Sequence, residues 1–112
     1  MGYPAEERVL RIVREYFPEA SIARGSGNVH HDGDIIGVPG VFLEVKERLR
    51  GRGFSVTAAE VRKTKQQAAE KFKSWALAVQ NKTDKPMVVC DLDFLLTLLS
   101  YVPPGDIDWE QT

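Results

Sequence analysis

The sequence predicts an α/β fold, a small mixed β-sheet flanked by helices in the order α-β-β-β-α-β-α. Three observations predict it. An apolar stripe of helical period lies near the start, two short apolar segments flank Val38, Pro39 and Gly40, and a helix-opening signature stands at Thr57 and Glu60. Across the 112 residues, 43% are hydrophobic and 28% charged, close to the average for a globular protein. One cysteine excludes an intramolecular disulfide framework and a multi-cysteine zinc site. No apolar run is long enough to span a membrane, and the start, MGYPAEERV, does not read as a signal peptide. One domain is expected over residues 1–102, with an acidic, frayed tail over 103–112.

In chain order, Pro4 suits an opening helical position and Glu6 and Glu7 complement the helix dipole, so residues 4–17 are expected to be helical. Val9, Ile12, Val13, Tyr16 and Phe17 would form the buried stripe, and Pro18 the stop. Residues 21–24 read as a short strand, 25–28 as a loop, 34–36 as a second strand and 41–46 as the clearest strand in the chain. Arg48, Arg50 and Arg52 lie in a glycine-containing arm. Thr57 and Glu60 have the spacing of a capping box, in which each side chain satisfies the other's backbone N–H. The helix they open is expected to run to about Asn81. Residues 87–90 read as a buried strand, and Asp91 as the cap of a last helix that is apolar almost all round. That helix is expected to be covered partly by the sheet and partly by a two-fold interface.

The chemistry concentrates at residues 33–46. Side chains alternate along a strand, so Glu44 and Lys46 project from one face while Leu43 and Val45 project from the other. The turn at Val38, Pro39 and Gly40 folds the second strand back and brings Asp34 beside them. Two carboxylates and an ammonium on one patch suit a hard divalent cation that also takes phosphate oxygens.

These residues resemble the PD-(D/E)xK nuclease superfamily, and within it the archaeal-type Holliday-junction resolving enzymes and their phage-encoded relatives. Gly33-Asp34 stands for the Pro-Asp of that motif, with Gly replacing Pro, and Glu44-Val45-Lys46 matches its E-x-K half. Arg24, Gly25, Ser26, Gly27 and Asn28 are similar to the family's R-x-x-GSG loop, except that the arginine abuts the first glycine. The resemblance implies a restriction-endonuclease-like fold and DNA cleavage dependent on Mg²⁺, with Mn²⁺ substituting. It implies Asp34, Glu44, the Val45 carbonyl and a helical glutamate as metal ligands, with Lys46 orienting the attacking water. Glu6 fits the helical position best because it shares a face with Val9 and Val13, and Glu7 is the fallback.

The expected activity is resolution of four-way junctions in recombination and repair, by paired nicks from a homodimer. The cell compartment would be the cytoplasm of a prokaryote or of a phage-infected host. Residues 24–28, Arg48, Arg50, Arg52 and Lys63 are the expected DNA contacts. A repair-type endonuclease on duplex or flap DNA is the alternative enzyme, and a non-catalytic DNA-binding module the alternative of another class.

Each residue also has a plainer reading. Asp34 can be a turn residue, Glu44 and Lys46 a solvated strand face, and Glu6 only a dipole partner. Adjacent His30 and His31 diverge in extended chain and do not suggest a shared metal. Ser26 lacks the context of a nucleophile, and Cys90 reads as a core filler. Gln66 and Gln67 are either site-supporting or surface polar residues. The formal net charge of −1 hides an uneven distribution. Residues 44–73 hold nine basic against four acidic groups, whereas residues 83–112 hold one basic against six acidic. A basic stretch therefore begins at the candidate strand, and affinity for DNA should weaken as salt rises.

Overall fold

The computed structural model describes residues 4–23, 33–106 and 108. Its elements are α1 (Pro4–Tyr16), β1 (Ser21–Ile22), β2 (Ile35–Ile36), β3 (Val41–Glu47), α2 (Ala58–Glu70), β4 (Ser74–Gln80), β5 (Met87–Val89) and α3 (Leu92–Ser100), followed by a 3-10 turn at Pro104–Asp106. The five strands form one mixed sheet in the order β1-β2-β3-β4-β5. Only β3 and β4 are parallel, paired from Val41↔Ser74 to Glu47↔Gln80. Among the described residues, no helix is long and apolar enough to cross a membrane.

Two apolar layers hold the sheet. On one face, Val9 and Leu10 of α1 pack with Ile35, Leu43, Ala76 and Ala78. On the other, Ala68 of α2 packs with Phe42, Trp75 and Leu77. β3 and β4 are thus buried on both faces, the usual state of parallel strands. The buried face of α1 carries Ala5, Val9 and Leu10. Ile12, Tyr16 and Phe17, expected in that stripe, are exposed.

The largest departure from expectation is the long helix to Asn81. It ends at Glu70, and residues 74–80 form β4, so the order is α-β-β-β-α-β-β-α with five strands rather than four. The helix stops in a backbone-closed motif. The Lys73 N–H donates to the Ala68 carbonyl at 2.9 Å, the Phe72 N–H donates to Ala69 at 3.1 Å, and Phe72 adopts φ 57°. A glycine usually takes that left-handed position. Its absence, together with helix-favouring alanines in β4, makes the strand read as more helix.

The capping box at Thr57 and Glu60 forms as expected, with Glu60 N–H to Thr57 Oγ1 at 3.1 Å and Thr57 N–H to Glu60 Oε1 at 2.9 Å. Asp91 does occupy the N-cap position of α3 but makes no side-chain cap bond. Its Oδ2 accepts from Trp75 Nε1 at 3.0 Å instead. The strand over residues 87–90 is not buried, because β5 is an edge strand with Met87 and Val88 exposed. Cys90 is half-buried against the α1-side core.

Phe72 is 96% exposed and has no packing to lose. Relief of its left-handed strain should let Phe72→Gly stabilise the protein by about 1 kcal/mol, read as a higher midpoint in urea denaturation.

Candidate active site

The site is assembled by the β2–β3 hairpin. Ile35 pairs antiparallel with Leu43, and the Val41 N–H closes the turn on the Val38 carbonyl at 3.2 Å. Asp34, just before β2, is held three ways. Its N–H donates to the Leu43 carbonyl at 2.8 Å, and its carbonyl accepts from the Ala23 N–H at 2.9 Å. Its carboxylate Oδ2 accepts from the Val45 N–H at 2.7 Å. The acid therefore sits on the backbone of the strand that carries Glu44 and Lys46, placed by a rigid ladder rather than by a loop.

Gly33 makes that approach possible. It adopts φ +96°, and a Cβ there would lie 2.9 Å from the Leu43 carbonyl oxygen. A proline, fixed near φ −65°, cannot take this conformation. The hairpin therefore requires glycine at this position.

Main-chain direction along β3 adds a second donor. The Leu43 carbonyl and the Val45 N–H both face β2. N–H and C=O of one strand residue point to the same side, so the Val45 carbonyl faces the edge beyond the end of β2, where the Asp34 carboxylate lies. Asp34, Glu44 and the Val45 carbonyl are the oxygen donors that can hold a hard cation here.

Glu44 is 8% exposed and lies on the sheet face that Phe42 shares with α2. Lys46, half-buried, lies on the same face. On α2, Glu60, Thr64 and Gln67 form a row at helical spacing along one flank. Thr64 is buried and Glu60 and Gln67 are half-buried, whereas Gln66 is exposed. Gln67 is thus the better placed of the two glutamines to support the site.

Glu6 is half-buried and Glu7 exposed. Helix α1 packs on the face of Leu43, opposite that of Glu44 and Lys46. Among the described residues no group of three or more His, Cys, Asp or Glu side chains is disposed to hold a metal, so Glu6 does not join Asp34 and Glu44 in such a group. A groove of about 320 Å³ also opens on the α1 side, between Ala5 and Arg8 and the strand ends at Glu47 and Gln80, away from the Glu44 and Lys46 face.

Of the expected DNA contacts, Arg50, Arg52 and Lys63 are exposed. Arg48 is engaged within the chain. Its Nε donates to the Ser55 carbonyl at 2.9 Å, Nη1 to the Glu47 carbonyl at 3.1 Å, and Nη2 to both carboxylate oxygens of Glu60, at 2.6 Å to Oε1. The Asn81 side chain holds the Arg52 carbonyl at 3.0 Å. Arg24, Gly25, Ser26, Gly27 and Asn28, and likewise His30 and His31, lie outside the described residues.

Glu60 is the residue that sequence reasoning placed only as a cap. Arg48 beside it holds its carboxyl below the usual range, helped by the Thr57 N–H and the nearby charge of Lys46, and opposed by partial burial. The capping spacing gave no sign of a partner twelve residues upstream. The chain matches no family model, no curated protein and no solved structure.

Two outcomes follow from these contacts. Asp34→Ala leaves the Val45 N–H without its acceptor and should cost about 1–3 kcal/mol in urea denaturation, whereas Asp34→Asn keeps an oxygen there and should cost less. A depressed carboxylate adds stability above its unfolded pKa, and that stability is lost as pH falls through the folded value. Glu60→Gln should therefore be less stable than wild type by about 1 kcal/mol at pH 7. In thermal melts across pH the gap should shrink below about pH 4, near the unfolded carboxylate value.

Proposed function

We propose that the chain is a metal-dependent DNA endonuclease of restriction-endonuclease-like fold that cuts four-way junctions by paired nicks. The observation that carries the reading is the Asp34 carboxylate on the Val45 N–H, within the strand triplet that bears Glu44 and Lys46. A lone strand-face acid and lysine need no such partner. A carboxylate that accepts from the strand's own N–H, on a residue whose backbone is tied by two further hydrogen bonds, fits a site whose oxygens must be set before substrate arrives.

The donor set suits Mg²⁺, which keeps several waters and needs only one or two carboxylates besides phosphate oxygens. Asp34, Glu44 and the Val45 carbonyl would hold it. When bound, such an ion lowers the pKa of a water and offsets charge on the phosphodiester, and Mn²⁺ would substitute. The chain's own contribution is positional. Asp34 stays on the strand edge, and Lys46 orients the attacking water and supplies positive charge opposite the developing oxyanion. Arg50, Arg52 and Lys63 provide exposed positive charge for sequence-independent phosphate contacts. The basic stretch over residues 44–73 supports DNA as the partner.

The test incubates the protein with labelled four-way junctions and with linear duplex of the same arm sequence, in Mg²⁺ or in EDTA. Paired nicks only in junctions, only with Mg²⁺, and lost by about 100-fold or more in Asp34→Asn and Lys46→Ala, are the expected result. Equal cutting of the duplex would make this a repair-type nuclease instead. Binding without cutting, or full activity in Asp34→Asn, would overturn the catalytic assignment.

A further inference from the structure

The groove between α1 and the ends of β3 and β4 has a buried floor and a charged rim. It opens at the carboxyl ends of the parallel pair, where open α/β sheets usually receive ligands. Glu47 and Gln80 end the two strands and stand side by side in the register. Both project toward α1, on the face of Val45 and of Ala78. Gln80 is 2% exposed, and among the described residues its side-chain oxygen accepts no hydrogen bond. The amide cannot turn over to find one. Its Nε2 donates to the Asn81 carbonyl at 2.9 Å and to the Asp84 carbonyl at 2.6 Å, where an oxygen would face two acceptors. The NH₂ group is therefore locked toward the turn after β4, and the oxygen is turned away from it, on the groove side of the residue. Buried acceptors are rarely left unpaired in native proteins, so this one calls for a donor from outside the chain.

The rim supplies further chemistry. Beside Gln80, the exposed Glu47 carboxylate is a second acceptor. Arg8 and Lys82 are exposed cations, drawn together where Arg8 Nη1 donates to the Lys82 carbonyl at 3.3 Å. Leu49, 60% exposed, gives the groove an apolar wall.

We propose that this groove binds a nucleoside monophosphate, free or at the end of a DNA strand, whose base carries an exocyclic amino group. Two neighbouring acceptors match the adjacent N–H donors of a guanine edge, or the amino group of adenine or cytosine. Arg8 and Lys82 match the phosphate, and Leu49 the face of the base. Inorganic phosphate would leave Gln80 unanswered and meet the charge of Glu47, and a metal cation would meet Arg8 and Lys82. The volume, about 320 Å³, lies near the lower end for ligand sites and has room for one nucleotide rather than a duplex. The site stands apart from the nuclease reading, because it lies on the sheet face opposite Glu44 and Lys46.

Calorimetric titration of the full chain in EDTA, with deoxyguanosine and thymidine monophosphates, tests it without any cutting. Deoxyguanosine monophosphate should bind with a Kd below about 1 mM, and about tenfold tighter than the thymidine nucleotide, whose base offers one such donor rather than two adjacent ones. Glu47→Ala and Gln80→Leu should each erase that preference, whereas Lys82→Ala should weaken both nucleotides alike by about tenfold. Gln80→Leu also removes two hydrogen bonds of the turn, so if it does not fold, Glu47→Ala at its exposed position carries the test of base recognition. A single strand phosphorylated on a terminal dG that displaces the mononucleotide would assign the site to strand ends. One that does not would assign it to the free nucleotide. No binding of either nucleotide up to about 1 mM means that solvent alone answers Gln80, and overturns the proposal. Equal affinity for the two nucleotides, or a preference unchanged in Glu47→Ala, overturns it as well. Failure to cut junctions would sink only the nuclease reading.

Discussion

The parallel pairing of β3 with β4 is the constraint on which the rest depends. Seven consecutive residues of each strand pair, and apolar side chains cover both faces. Parallel strands cannot be joined by a tight turn, so the chain must leave the end of β3, cross the sheet and return. The crossing is made by the arginine arm and α2. This connection puts the N-terminus of α2, with Glu60, near the end of β3 where Lys46 and Arg48 leave the sheet. The site and its basic surroundings therefore occur together for a topological reason.

On the other edge of β3, the short antiparallel hairpin has a different task. β2 is only two residues long, and among the described residues the second half of β3 has no backbone strand partner on that side. A strand edge left open in this way presents unpaired groups. One of them, the Val45 N–H, is taken by the Asp34 side chain. The carboxylate thus adds one bond to the edge beyond the β2 pairing, and a carboxylate oxygen is delivered there by the ordinary need to satisfy a half-buried donor.

Much of this was legible in the chain because it is local. The turn at Val38, Pro39 and Gly40 sets the hairpin register, and the register places Asp34 beside Val45. The Thr57 and Glu60 cap was readable for the same reason. What was not legible depends on partners far along the chain. Residues 74–80 lack alternation because both their faces are buried, and alanines among them suit a helix as well as a strand. Without a glycine at Phe72 nothing marks the break. The bond of Arg48 to Glu60, the use of Asp91 by Trp75, and the rotation of the α1 stripe from Ile12 toward Ala5 and Leu10 are tertiary choices that no spacing rule encodes. The leucines of α3 were plain in the sequence, but not that the sheet leaves them uncovered.

The fork between Arg48 and Glu60 also changes what the arginine arm is. Residues 48 and 60 are the two ends of a loop, and the guanidinium, with its further bond to Ser55, closes that loop into a ring. Asn81 fastens the ring again at the Arg52 carbonyl. Arg50 and Arg52 therefore extend from a bounded hoop rather than a free strand of chain, and much of the backbone disorder that a phosphate contact would have to remove has been removed already by folding. One arginine is withdrawn from the surface so that two others can reach outward from a fixed rim.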